Sequence, residues 1–394
     1  MKILVLTPTF LPALGGAELV ILQIYRRLAA NHKILVLTPH LSEKVLNASY
    51  SSEYDNLINF EVQRYHDRYT LMKIRGHRVS FGLIPPFSLS AVKAVRQACV
   101  VFRPDVINVH YVMPTGMAGV YAQKILKIPT VLTYNGRDVT GPGVPGLWKY
   151  WHRLIGKNCE DMTFVSNYCR KAIYGPTSQS GHVIYNGVEL PKKVDKEDLK
   201  SLRLKLEIGE NEKVIFALQR LDYLKRVDVI IRSMKRVVEN YPDTRLIIGG
   251  KGEDERRLKN LAKEINIDHK VIFAGFISDT DLPLFFDMAD MFVFHSTFET
   301  FGMVLAEAMN YGKAIVSAKN TAINEVVENG KTGLLVNEKD PDSLANAVLS
   351  LLKNPILRQK LELNGKKKAH TEYLWDKIAL QYESVLLNAY KNFH

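Results

Sequence analysis

Short β-branched runs alternate with helix-length stretches twice along this chain of 394 residues, and that alternation constrains the fold more than any other feature. A strand, a helical crossover and another strand build parallel sheets with helices on both faces. In the first half, strands are expected over 2–7, 33–38, 58–64, 106–110, 130–134, 162–165 and 182–185. Helices fit 16–30, 88–102, 115–126, 146–157 and 166–174. A hydrophilic stretch over 186–211 breaks the pattern, which restarts with strands over 214–218, 244–249, 270–274, 291–294, 314–316 and 333–336. Two helices, 354–370 and 371–392, close the chain. This length exceeds what one hydrophobic core serves. The reading is α/β with two doubly wound, Rossmann-like domains, 1–190 and 191–394. No sequence repeat links the halves.

Charge separates the two halves. Residues 1–190 hold 21 Lys/Arg against 11 Asp/Glu, and the remainder holds 32 against 30. A basic half beside a neutral one points to an anionic partner for the first domain, such as a lipid headgroup or lipid phosphate. Nucleic acid is not expected, because no recognition motif accompanies the charge. Cys99, Cys159 and Cys169 share no C-x-x-C spacing, so neither a zinc site nor a disulfide scaffold is expected and a reducing cytoplasm fits. Pro8, Pro12 and Glu18 interrupt the apolar start, which reads as a first buried strand rather than a signal peptide. No apolar run approaches the roughly 18 residues of a membrane span.

Chemistry concentrates where strands give way to helices. In Phe298-Glu-Thr-Phe-Gly-Met-Val-Leu-Ala-Glu-Ala-Met309, seven residues separate Glu299 from Glu307. Phe301, Gly302 and Met303 between them place backbone N–H groups of a helix start beside the first carboxylate. Such an end attracts anions, and carboxylates accept from hydroxyls. A ligand with both phosphate and hydroxyl groups fits. Gly15 and Gly16 stand at a strand-to-helix turn where a backbone can approach phosphate. Arg220 and Lys225, in Phe216-Ala-Leu-Gln-Arg-Leu-Asp-Tyr-Leu-Lys-Arg-Val227, could hold a diphosphate without a metal. Gly275 and Phe276 follow a strand, and His110 ends one. Gly249-Gly-Lys-Gly252 does not complete G-x-G-x-x-G and is set aside, as is Gly330-Lys331-Thr332, which has Glu325 where a P-loop needs glycine.

The segment around Glu299 and Glu307, with Gly312 and the strand behind it, resembles the signature of retaining glycosyltransferases of family four. That resemblance spans nearly the whole chain and implies the GT-B fold, two such domains facing a central cleft. It implies that Glu299 and the N–H groups near Phe301, Gly302 and Met303 hold the donor sugar, and Glu307 the ribose. Arg220, Lys225 and the Gly15-Gly16 turn would hold the diphosphate, and Gly275 and Phe276 the base. Gln219 and Arg226 replace the two glycines of the family's G-R-L-x-x-x-K-G pattern. In Pro129-Thr-Val-Leu-Thr-Tyr-Asn-Gly-Arg-Asp138, Asn135 stands where the family's T-x-H-G-x-D element has histidine. Asparagine can hydrogen-bond a sugar but cannot take a proton near neutral pH. His110 matches another family position, with a structural strand-end histidine as the alternative.

The expectation is therefore a retaining, metal-independent transferase with no cofactor. Its donor would be a UDP- or GDP-sugar and its acceptor a glycan or lipid-linked molecule. The alternatives are a nucleotide-sugar-binding regulator without turnover and a GT-B-like epimerase. Residues 146–157 form a basic amphipathic helix, with Lys149, Arg153 and Lys157 on one face and Leu147, Trp151 and Leu154 on another. With the basic, aromatic stretch 64–78, it is a candidate for peripheral contact with an anionic inner membrane face.

Overall fold

The structure, a computed structural model, describes residues 1–13, 15–40, 54–67, 87–141, 144 and 146–394, without the side chains of Arg137 and Asp138. The chain divides into two compact units, Met1–Gly187 with Trp375–His394, and Val188–Leu374. The last helix, Trp375–Phe393, thus belongs to the first unit rather than to the second domain, where the sequence reading put it. It packs on the helix Gly16–Leu28, with the ion pair Arg27–Asp376 and the hydrogen bond His32–Glu383, each at 2.6 Å.

The first unit holds a seven-stranded parallel sheet of β1 (Lys2–Leu6), β2 (Lys33–Pro39), β3 (Glu61–Tyr65), β4 (Val106–His110), β5 (Thr130–Tyr134), β6 (Asp161–Phe164) and β7 (His182–Val183), in order β3-β2-β1-β4-β5-β6-β7. The second holds six parallel strands, β8 (Lys213–Leu218), β9 (Thr244–Gly249), β10 (Val271–Gly275), β11 (Met291–Phe294), β12 (Ala314–Ala318) and β13 (Leu334–Val336), in order β10-β9-β8-β11-β12-β13. Helices on both faces explain why the central strand β1 is apolar on both sides: Ile3, Leu4, Val5 and Leu6 are all buried. The helix Val227–Asn240 turns Val227, Ile230, Ile231, Met234 and Val237 into the second core and packs on Pro341–Lys353. Asp340 caps that partner helix by accepting from Ser343 N at 2.9 Å. The hydrophilic stretch expected to be irregular contains a helix, Lys196–Lys205, capped by Asp195 and with no buried residue. Its apolar face is short, Leu199 and Leu202, and only half-buried, so the periodic signal is weak.

In each sheet the strand order reverses once, between β1 and β4 and between β8 and β11. Loops leaving adjacent strands diverge there, opening a crevice at the strands' carboxyl ends. The glycines of Gly249-Gly-Lys-Gly252, set aside as a motif, have a packing role beside this crevice. Gly250 has φ +116°, and a Cβ there would sit 2.0 Å from the Gln219 carbonyl oxygen; one on Gly252 would sit 2.1 Å from that of Leu221. Leu221 N donates to Lys251 O at 3.0 Å, so two loops run backbone against backbone. Gly250→Ala is expected to lower stability by about 2–4 kcal/mol through strain and displacement of the Gln219 loop. Gly146→Ala, with nothing within 4 Å of the added carbon, is the matched control. Equal melting temperatures for the two variants would contradict this.

Candidate active site

The second unit's crevice is built from two loops. Beyond β8, the buried Asp222 carboxylate accepts from Leu224 N at 3.1 Å and Lys225 N at 3.2 Å, folding Tyr223–Lys225 into a 3-10 turn. Its other oxygen holds Arg220 Nη2 at 2.7 Å, leaving the guanidinium otherwise exposed. One carboxylate therefore places both cations. Gln219 Nε2 donates to Lys225 O at 3.0 Å, while its Oε1 is buried with no partner among the described residues. Arg226 adopts φ +46°, a left-handed conformation costing a non-glycine residue about 1 kcal/mol. A two-point pair with Asp228, at 3.0 and 3.1 Å, holds it there. The loop follows a glycine's path without glycine.

Beyond β11, Thr297 N and Oγ1 donate to Leu224 O at 2.9 and 3.1 Å, fastening this loop to the first. Glu299 N donates to Thr321 Oγ1 at 3.1 Å. Gly302, at φ +90°, caps the helix Met303–Asn310, and no side chain caps its first turn. The helix dipole consequently faces the crevice. Phe301 is 1% exposed and packs edge-on against Tyr373 at 5.4 Å, so its ring is core and only its backbone faces the loop.

Arg220, Lys225, Glu299, Gly302 and Met303 line one cavity of about 220 Å³, with Leu218, Gln219, Phe294 and Val304. Lys225 Nζ forms an ion pair with Glu299 Oε1 inside it and lies 5.7 Å from the Phe294 ring centre. Glu307 lies further along the helix and does not line this cavity. It keeps some surface, but protein surrounds its carboxyl group. Burial, with Asp279 adding repulsion, pushes its pKa up to about 7. Phe276 is 62% exposed at the end of β10, following Gly275 at φ +70°, and is not core.

In the first unit, Gly15 caps the helix Gly16–Leu28 without a side-chain bond. A Cβ on Gly15 would meet Glu18 Oε2 at 2.5 Å, and Thr9 Oγ1 donates to the same carboxylate. Burial raises the Glu18 pKa, against the Thr9 bond. An acid at a turn expected to meet phosphate would oppose an anion unless protonated. His110 is fully buried, as a structural strand-end histidine would be. Asn108 Nδ2 donates to Val131 O and Thr133 Oγ1, each at 2.9 Å, leaving its oxygen to accept the one proton of Tyr25 OH. The 2.9 Å contact from His110 Nε2 to Tyr25 OH is then donated by the ring. Burial pushes the His110 pKa down to about 3, with the neighbouring Asn135 amide opposing it. The Asn135 side chain thus faces the buried His110 ring, and its Oδ1 is itself buried.

Sequence reasoning missed Asp222, and marked Gln219 only as a departure from the family's glycine. An aspartate directly before a helical turn is an N-cap signal that could have found Asp222. The expected membrane face also shifts. Leu147, Tyr150 and Leu154 are 49, 57 and 53% exposed. Trp151 instead packs against Phe87 at 5.4 Å, and Arg153 is spent on the Ile173 carbonyl. The stretch 68–78 of the basic aromatic segment lies outside the described residues.

Because its pKa is raised in the folded state, Glu307 favours folding below its unfolded pKa and loses that contribution as pH rises through about 7. Glu307→Gln should therefore raise stability by about 2 kcal/mol at pH 8 and change little at pH 5. Thermal denaturation at both pH values checks this, and a gain independent of pH would contradict it.

Two families match the chain: Glycosyltransferase Family 4 over residues 14–192 and Glycosyl transferases group 1 over 199–368. The N-acetyl-alpha-D-glucosaminyl L-malate synthase of Bacillus anthracis is 24% identical over 382 residues, covering 96% of this chain and 95% of its own. The alpha-monoglucosyldiacylglycerol synthase of Streptococcus pneumoniae is 27% identical over 265 residues, 64% of this chain and 59% of its own. The crystal structure of Anabaena HepE in complex with UDP and glucose superposes with a TM-score of 0.78 at 22% identity, covering 98% of this chain and 100% of that one. With two parallel Rossmann-like units and these matches, the chain belongs to the glycosyltransferases of family four and has the GT-B fold.

Proposed function

We propose that the protein is a retaining, metal-independent glycosyltransferase that moves a sugar from a UDP- or GDP-sugar to a glycan or lipid-linked acceptor. The convergence of Arg220, Lys225, Glu299 and an uncapped helix start on one cavity carries this reading. The two cations and the helix dipole meet the diphosphate and neutralise the charge that develops as it leaves. Glu299 accepts from sugar hydroxyls, Glu307 from the ribose, and Gly275 and Phe276 meet the base. Gly15 and Gly16 approach the diphosphate, where the raised Glu18 pKa lessens its repulsion. The bond from the anomeric carbon to the phosphate oxygen breaks while the acceptor oxygen bonds on the same face. The acceptor's proton passes to the leaving phosphate. Asn135 hydrogen-bonds a sugar hydroxyl and carries no proton. The Anabaena structure holds UDP and glucose, which fits a donor of this class.

A panel of labelled nucleotide sugars, assayed for donor hydrolysis and transfer, tests the proposal. Activity is expected to be unchanged by a chelator and to give product with the donor's anomeric configuration. Asn135→Ala should slow it about two- to tenfold, the worth of a neutral hydrogen bond, with nucleotide binding intact. Loss on chelation and recovery with Mg²⁺ would contradict metal independence. Tight donor binding with no transfer to any acceptor would favour the regulator, and an epimerised nucleotide sugar the epimerase.

We further propose a cytoplasmic protein that touches the inner membrane face. No helix among the described residues is long and apolar enough to cross a membrane. The exposed Leu147, Tyr150 and Leu154 lie on one face of the helix Trp148–Lys157, near the exposed Lys149 and Lys157. Apolar insertion beside lysines suits an anionic interface. Sedimentation with phosphatidylglycerol vesicles should exceed that with phosphatidylcholine and fall in a Lys149→Glu, Lys157→Glu variant. Equal sedimentation with both lipids would contradict this.

A further inference from the structure

The Lys225–Glu299 ion pair spans the cavity in which both residues are assigned to the ligand. We infer that this pair couples recognition of phosphate to recognition of sugar, so that the site holds an intact nucleotide sugar in preference to the nucleoside diphosphate alone. The inference rests on the donor-site reading above.

The argument is one of partners. Lys225 and Glu299 side chains are 19 and 14% exposed, too little for water to replace a lost partner fully. Among the described residues, Lys225 is the hydrogen-bond partner of the Glu299 carboxylate, while Glu299 N is separately bonded to Thr321. Asp222 fixes the Lys225 backbone, so the ammonium can turn between Glu299 and a ligand without moving the loop. A diphosphate drawing Lys225 away leaves an unpaired carboxylate in a cavity of about 220 Å³ that now also holds phosphate charge. A sugar relieves that state, because its hydroxyls donate to Glu299. The nucleoside diphosphate offers no such donor there. After transfer the site holds that poorer ligand, and re-forming the pair favours its release.

Opposite signs make the inference testable. Full-length protein is titrated calorimetrically with UDP, UDP-glucose, GDP and GDP-mannose. In Glu299→Gln the diphosphate that binds should bind about three- to tenfold tighter, since Lys225 is freed and a repulsive charge removed. Its nucleotide sugar should bind about tenfold weaker, through loss of a charged acceptor. Lys225→Ala should weaken both. Glu299→Ala, expected to change diphosphate affinity in the same direction, serves if the glutamine variant does not fold. Diphosphate affinity that is unchanged or reduced in the Glu299 variants, with wild type binding normally, overturns the coupling alone. Failure of wild type to bind any of the four overturns the donor-site reading and the coupling with it.

Discussion

β8 and β11 lie side by side in the second sheet, although two further strands come between them in the chain. Their adjacency at the reversal of strand order is the constraint on which the rest of the cavity depends. At such a reversal a crevice opens at the carboxyl ends of the two strands. Asp222 then converts the first loop into a rigid mount for two cations, and Thr297 ties the second loop to it through Leu224 O. The opposed charges of Lys225 and Glu299 meet because of this backbone lacing, not because a flexible side chain happened to reach.

The same geometry explains two departures from the family pattern. A glycine would reach the left-handed conformation of residue 226 freely; here arginine is held there by Asp228. At position 219, glutamine returns one end of its amide to the Lys225 carbonyl and leaves the other end in the cavity wall. Both substitutions add polar atoms to the loop. Asn135 is a departure of another kind. It stands next to a histidine whose burial favours the neutral ring, with Nε2–H donating to Tyr25 OH.

Much of this was legible in the sequence because the strands are short, apolar and separated by amphipathic helices. Arg220, Lys225, Glu299, Gly302 and Met303 were legible because they flank strand ends within short motifs, and the cavity gathers them. The final helix was not. Its apolar stripe says that it is covered but not by which core, and Tyr382 settles among His110, Thr133 and Thr163 of the first unit. The burial of His110 was invisible for a similar reason, since a strand-end residue looks open until Tyr25 and Tyr382 close over it. Gly250 and Gly252 fell outside the motif sought because what they accommodate is another loop of the same chain. Long-range packing decided each of these, and no local pattern encodes it.

The central claim is that this cavity is the donor site and that donor binding replaces the Lys225–Glu299 contact. A crystal structure of the protein with an intact nucleotide sugar tests it most directly. The diphosphate is predicted against Arg220, Lys225 and the start of the helix at Met303, with the sugar on Glu299 and the ion pair broken. A nucleotide sugar bound elsewhere, with Lys225 still on Glu299, would contradict the account.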